Sequence, residues 1–154
     1  MPIAVAIESP DQPDVRQLIA ELDAYQGALY PPESNHGIDV QALMRPQVLF
    51  AVARDEAGAA VGCGAIVLAA DHGELKRMYV KPAQRGRNIA AQVLQFLEAQ
   101  VRARGLPQVL LETGPYQPEA LRFYEKSGYT RRGPFADYWN DPLSVFMEKT
   151  LAPA

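Results

Sequence analysis

Two apolar runs, Val48 to Ala53 and Ala60 to Leu68, flank Arg54-Asp55-Glu56-Ala57-Gly58, a stretch whose composition suits a hairpin loop. A third β-prone run, Glu74 to Val80, follows Asp71-His72-Gly73 and stops at Lys81-Pro82, because proline cannot extend a strand ladder. These three runs predict an antiparallel meander at the centre of the chain. Whatever else the sequence forms must pack on the faces of that sheet or add strands to its edges.

The flanking segments fit that demand. Ile3 to Glu8 reads as a short strand ended by Ser9-Pro10-Asp11. From Pro13, the apolar residues Val15, Leu18, Ile19, Leu22, Tyr25 and Leu29 recur every three or four positions, giving one face of a helix that Tyr30-Pro31-Pro32 stops. The polar loop Glu33-Ser34-Asn35-His36-Gly37 leads to Asp39, an N-cap for a short helix over Val40 to Met44 that Pro46 terminates. Ile89, Val93, Phe96, Leu97 and Val101 mark a further helix running to about Arg104 with Gly105 as its C-cap, and strand Gln108 to Glu112 follows. Pro118 and Glu119 suit the first turn of the next helix, and Gly128 suits a left-handed cap after Ser127. The last strands are expected at about Tyr129 to Arg131 and Ser144 to Lys149. The order is β-α-α-β-β-β-α-β-α-β-β, an α/β chain of the α+β kind with a central mixed sheet flanked by helices.

At 154 residues, 48% hydrophobic and 21% charged, with no repeat or low-complexity tract, residues 1-154 are expected to form a single domain with a substantial core. A net charge of −3 argues against non-specific nucleic-acid binding. No stretch approaches the roughly 20 apolar residues of a membrane span, and the amino terminus lacks the basic and apolar regions of a signal peptide. Cys63 is the only cysteine, so no intrachain disulfide or C-x-x-C metal or redox site can form. A cytoplasmic setting is expected, with no nucleic-acid, membrane or metal partner.

Chemistry concentrates in Met78-Tyr79-Val80-Lys81-Pro82-Ala83-Gln84-Arg85-Gly86-Arg87-Asn88-Ile89-Ala90, a strand, a cationic Gly-bearing turn and a helix start. The first N–H groups of a helix have no intrahelical acceptor, and its positive dipole end attracts anions. Arg85 and Arg87 are placed to add charge-assisted bonds to a phosphate. The plain alternative is a capped helix with solvated basic residues. The pattern is neither G-x-x-x-x-G-K-[ST] nor G-x-G-x-x-G, which disfavours nucleotide hydrolysis and dinucleotide binding.

Arg85-Gly86-Arg87-Asn88-Ile89-Ala90 resembles the Q/R-x-x-G-x-G/A acetyl-CoA pyrophosphate loop of the GNAT superfamily of N-acetyltransferases, with Asn88 where that family usually has glycine. Asparagine is among the few side chains that tolerate positive φ, so a left-handed turn is expected there. Ala120-Leu121-Arg122-Phe123-Tyr124-Glu125-Lys126-Ser127-Gly128-Tyr129 is similar to the family's A-x-x-x-Y-x-x-x-G-F/Y block, and Gln117 stands where the family often has asparagine. The element order is also that of the family. The run Pro134 to Lys149 looks like that of small bacterial members of undefined substrate.

The resemblance implies acetyl-CoA as cofactor and direct transfer of acetyl to a primary amine of a small molecule or peptide. It implies that the strands Glu74 to Val80 and Gln108 to Glu112 splay to bind pantetheine. Met78, Tyr79 and Val80 would then lie on that contact, with the Met78 N–H toward the thioester oxygen. Arg85, Gly86, Arg87, Asn88, Ile89 and Ala90 would take the pyrophosphate, and Gln117 and Tyr124 would contact the cofactor. Tyr124 is the candidate general acid for the departing thiolate, against a plain role as a packed helix-face aromatic. Glu74, at the start of the cofactor-side strand, is the first candidate base, against a solvated strand-end glutamate; Glu112 is the second. His36 and His72 lie in predicted loops, where imidazoles are usually solvated. Cys63, between Gly62 and Gly64 in an apolar strand, reads as a packed core thiol, which favours direct transfer over an acyl-cysteine. The stretches Tyr30 to Gly37 and Phe135 to Trp139 are expected to border the acceptor, with Glu33, Asp137 and Asp141 available to a cationic amine. Tyr138 and Trp139 offer a homodimer contact as their alternative role. The rival functional class is a non-catalytic acyl-CoA-binding or regulatory module, and a ligand-free interaction domain stands behind it.

Overall fold

The computed structural model describes residues 2–34 and 39–153. Strand β1 (Ala4–Ile7) leads to helix α1 (Pro13–Leu29), whose first turn carries Pro13 and Asp14 and whose buried face is Val15, Leu18, Ile19 and Leu22. Both residues suit a helix N-terminus, where a missing N–H costs nothing and a carboxylate meets the positive dipole end. A short helix α2 (Val40–Leu43) starts where Asp39 accepts the Ala42 N–H at 2.8 Å, the cap read from the sequence.

Strands β2 (Val48–Arg54), β3 (Ala60–Leu68) and β4 (Gly73–Val80) form the expected meander. Its first turn is held by Asp55, which accepts the N–H groups of Ala57 and Ala59 at 2.9 and 3.0 Å. Helix α3 (Ile89–Ala103), strand β5 (Gln108–Thr113), helix α4 (Pro118–Lys126) and strands β6 (Thr130–Arg132) and β7 (Val145–Thr150) complete the chain. Each of the last two strands starts one residue later than expected. Tyr129 turns into the core, and the Ser144 N–H is spent on the Asp141 carbonyl.

The strands join in one seven-stranded sheet in the order β1-β2-β3-β4-β5-β7-β6. Every neighbouring pair is antiparallel except β4 and β5, which α3 connects as a parallel pair. That pair holds for only three positions, Gly73–Leu75 against Val109–Leu111. Beyond them the two strands separate.

Apolar side chains cover both sheet faces, as a sheet sandwiched by helices requires. On one face α3 and α4 bury Ile66, Leu75, Val93, Leu97, Leu111 and Met147. On the other, α1 and α2 cover Phe50, Val52, Cys63 and Ala65. A smaller cluster of Leu110, Phe135 and Phe146, with Tyr138 against it, lies under the segment between β6 and β7. At Gly64 a Cβ would meet the Met78 sulfur at 2.9 Å and Leu97 and Val93 at 3.1 Å, so this position keeps α3 close to the sheet. Among the described residues no helix is long and apolar enough to cross a membrane.

Candidate active site

The separation of β4 from β5 begins beside a β-bulge. Between Cys63 and Ala65 the register of β3 against β4 shifts, so that Arg77 and Met78 together face Gly64. Arg77 has φ +59, a left-handed backbone that bulky residues seldom adopt. The bulge turns the second half of β4 toward the gap. Met78, Tyr79 and Val80 form one wall of a groove of about 250 Å³, and Ala120, Phe123 and Tyr124 of α4 form the other.

At the end of that groove the chain makes the basic turn read from the sequence. Arg85 is extended, Gly86 has φ +87 and Asn88 has φ +63, so asparagine holds the left-handed N-cap position before Ile89. This meets the expectation for Asn88 and leaves the α3 N-terminus open. Gln84, Arg85, Gly86, Asn88 and Ala90 line a cavity of about 330 Å³ that Phe123 and Val80 share with the groove. Arg87 Nη1 donates to Gln84 Oε1, while Arg87 Nη2 is buried with no hydrogen-bond partner among the described residues. Arg87 lines neither the cavity nor the groove; what faces the cavity is Arg85, Gly86, Asn88 and the start of α3, a cationic side chain and a helix N-terminus that suit a phosphate oxygen. The residues present therefore suit a pyrophosphate-bearing cofactor whose thiol arm runs along the groove.

Tyr124 stands in the groove wall on α4, with Phe123 and Tyr129 at ring-centroid distances of 5.2 and 5.8 Å. Burial pushes its hydroxyl pKa above the ordinary phenol range, so it carries its proton at any working pH. Gln117, at the N-cap of α4, lines both this groove and a smaller cavity of about 60 Å³ on its far side. Tyr30, Ser34, Lys76, Glu112 and Gly114 surround that second cavity.

The two candidate carboxylates occupy different surroundings. Glu112, at the end of β5, lines the cavity, and its pKa is pushed up to about 7. Burial is the largest cause, Ser144 and Lys76 pull against it, and Asp141 and Glu74 add to it. Glu74 does not line the cavity. It accepts the Tyr138 hydroxyl, and Lys76 Nζ lies 3.2 Å from its Oε2 and 2.6 Å from the Tyr138 oxygen. Burial first, and the Glu74 charge second, raise the Tyr138 pKa.

Other residues read from the sequence are placed as follows. Cys63 is fully buried, donates its S–H to the Arg77 carbonyl at 3.3 Å, and has its pKa pushed up to about 12 by burial. An unionised, inaccessible thiol cannot serve as a nucleophile. His72 pairs with Asp71 at 2.7 Å and meets the Phe135 edge, away from the cavity. His36 lies outside the described residues. Glu33 and Asp137 are exposed. Asp141, expected to be available to a cationic amine, is 2% exposed and accepts the Leu143 N–H at 2.8 Å, closing the turn before β7. Tyr138 donates its hydroxyl to Glu74 and meets Lys76, whereas Trp139 is 52% exposed.

Tyr30 belongs to the stretch expected to border the acceptor and lines the Glu112 cavity; what sequence reasoning missed is its contact with Gly114, so close that a Cβ there would sit 1.8 Å from the Tyr30 hydroxyl oxygen. That oxygen accepts the Tyr116 N–H at 3.0 Å, and the two rings stack at 5.3 Å. Only Gly114 immediately after a strand hinted at so close an approach. Lys76 and Arg77 were also missed, because a bulge leaves no periodicity to read.

A mixed sheet that opens between two parallel strands, with a basic turn and a helix N-terminus beside the opening and a partly buried carboxylate lining a neighbouring cavity, is the architecture of an acyl-CoA-dependent transferase. The profile of the acetyltransferase (GNAT) family matches residues 15–129. Over 151 residues the chain is 50% identical to an IAA acetyltransferase of Azospirillum brasilense, covering 97% of this chain and 98% of that one. It is 39% identical over 125 residues to the uncharacterized N-acetyltransferase YsnE of Bacillus subtilis strain 168, covering 79% and 82%. Among solved structures, a Klebsiella pneumoniae protein assigned to the acyl-CoA N-acyltransferases superposes with a TM-score of 0.83 at 39% identity, covering 97% and 98%. The PaiA N-acetyltransferase of Thermoplasma acidophilum, solved with coenzyme A, shares the fold with a TM-score of 0.73 at 19% identity, covering 98% and 100%. The chain belongs to the GNAT family of acetyltransferases. It is an N-acetyltransferase that uses acetyl-CoA.

Proposed function

We propose that the chain transfers acetyl directly from acetyl-CoA to a primary amine of a small molecule or peptide, with Glu112 as the base and Tyr124 as the acid. The observation that carries this reading is that one residue, Gln117, borders both the groove holding Tyr124 and the cavity holding Glu112. An amine in the cavity and a thioester in the groove would meet at their common wall.

Acetyl-CoA supplies an activated acyl group as a thioester. The turn Arg85 to Ala90 holds its pyrophosphate through backbone N–H groups, the α3 dipole and the Arg85 guanidinium group. Met78, Tyr79 and Val80 take the pantetheine arm as an added strand takes its neighbour, and the Met78 N–H donates to the thioester oxygen. Glu112 takes the proton that the attacking ammonium must lose, because a carboxylate with a pKa of about 7 is matched to that task near neutral pH. Tyr124 gives its proton to the departing thiolate. The same dry groove that raises the phenol pKa also raises the proton affinity of the thiolate, so the transfer is not uphill by the difference seen in water. Glu74 holds Tyr138 and Lys76 beside the cavity and remains the rival base. A cytoplasmic setting suits an acetyl-CoA-dependent enzyme with one buried thiol.

The test is the pH profile of thiol release from acetyl-CoA with a panel of primary amines. Glu112→Gln is expected to abolish the rise of activity through about pH 7, while Glu74→Gln keeps it. The reverse pattern would move the base to Glu74.

A further inference from the structure

Past Leu75, β4 has lost β5 as a neighbour, and a strand half freed on one side needs its position fixed by something else. Helix α1 supplies that support through polar ties. Arg77 Nη1 donates to Asp23 Oδ1 at 2.6 Å, the Tyr79 hydroxyl donates to Glu21 Oε1 at 3.0 Å, and Lys81 Nζ lies 3.5 Å from Glu21 Oε2. The first tie falls on the bulge itself. Arg77 is held at both ends: its carbonyl accepts the Cys63 S–H from β3, and its side chain, 6% exposed, is anchored on α1. A left-handed arginine costs on the order of 1 kcal/mol, and such a conformation persists only where the surroundings over-determine it.

We propose that Asp23, Arg77 and Cys63 form a clamp that fixes the bulge and so aims the Met78 N–H at the thioester oxygen. Asp23 is a positioning residue for acetyl transfer: it borders neither the groove nor the Glu112 cavity and acts only through Arg77. Arg77 and Met78 share the single residue Gly64 of β3 across the bulge and pair with no residue of β5 among the described residues, so one-to-one ladder pairing does not set the direction of the Met78 amide. The ion pair on one side and the Cys63 contact on the other confine it. The proposal rests on the placement of the thioester oxygen at that amide.

The experiment is carbon-13 NMR of acetyl-CoA labelled at the acetyl carbonyl, bound to the full chain. A donated hydrogen bond polarises the carbonyl and moves its resonance downfield from that of free acetyl-CoA. In Asp23→Asn and Arg77→Met most of that displacement is expected to vanish, and in Asp23→Glu, which keeps the ion pair, it is expected to return. Affinity for acetyl-CoA should stay within about threefold, because the pyrophosphate is held elsewhere. Turnover should fall about tenfold, part of the roughly hundredfold lost when an oxyanion donor is removed outright. If Arg77→Met does not fold, Asp23→Asn decides alone, since the Asp23 side chain is 48% exposed and its amide fits the same site. No displacement in the unaltered chain would overturn the Met78 placement itself. Displacement in the unaltered chain that survives in both variants would overturn the clamp, and loss in Asp23→Asn without recovery in Asp23→Glu would show that the ion pair is not its cause.

Discussion

Glu112 shows how a single residue couples stability to protonation. Its carboxyl has a pKa of about 7 in the fold against 4.5 ordinarily, so the folded chain holds a proton that the unfolded chain has already released. The stabilising contribution is therefore complete below about pH 4.5 and is lost as the pH rises through about 7. Glu112→Gln, which cannot ionise, should be more stable than the unaltered chain at pH 8 by about 1 to 3 kcal/mol and no more stable at pH 4. Denaturant unfolding at the two pH values checks this, and equal stability differences at both would mean that Glu112 is not strained when ionised. Tyr124→Phe keeps the ring and removes the proton. It should lower turnover about ten- to a hundredfold while acetyl-CoA affinity is nearly unchanged. At this scale the sequence named both carboxylates and the tyrosine and ranked Glu74 first. Glu112 comes first in the proposed reaction because it lines the cavity while Glu74 is engaged by Tyr138 and Lys76, a difference of surroundings that no local pattern encodes. The surroundings of Glu112 come from the segment between β6 and β7, which brings Asp141, Leu143 and Ser144 beside β5 from some thirty residues away.

Elements are held in place by a few buried polar contacts as much as by the apolar faces. Glu98 of α3, 4% exposed, accepts the Tyr129 hydroxyl at 2.7 Å and Lys149 Nζ at 2.9 Å, linking α3 to the end of α4 and to β7. Glu98→Ala would leave a buried phenol without its acceptor, although Lys149 can turn to water. A loss of about 2 to 3 kcal/mol is expected from chemical denaturation. Gly114→Ala forces Tyr30 off the end of β5 and breaks its bond to the Tyr116 N–H. It should weaken amine acceptance more than acetyl-CoA binding, read as a rise in KM for the amine. The order of elements was legible because each is locally consistent: helix faces at three and four residues, β-branched runs, Pro and Gly at the ends. Asn88 was legible for the same reason, since its left-handed turn is a property of the residue itself. The bulge and the divergence of β4 from β5 were not legible from residue patterns. They depend on contacts such as Asp23 with Arg77, separated by more than fifty positions, which no local pattern encodes.

For the whole molecule, binding and folding are linked. A ligand that spans the α3 N-terminus, the open half of β4 and the wall of α4 stabilises all three at once, because it binds only the folded chain. Coenzyme A at about a hundredfold excess over its Kd should add about 2.7 kcal/mol, raising Tm by about 5 to 10 °C for a chain of this size. The most direct test of the central claim is calorimetric titration of acetyl-CoA into the full chain, with Arg85→Ala/Arg87→Ala alongside. Saturable binding, weakened about tenfold or more in the variant, is the expected result, since each charge-assisted bond to a phosphate contributes on the order of 1.5 to 3 kcal/mol. Equal affinity in both proteins, or no binding to the folded chain, would contradict the cradle at Arg85 to Ala90 and the transferase reading built on it.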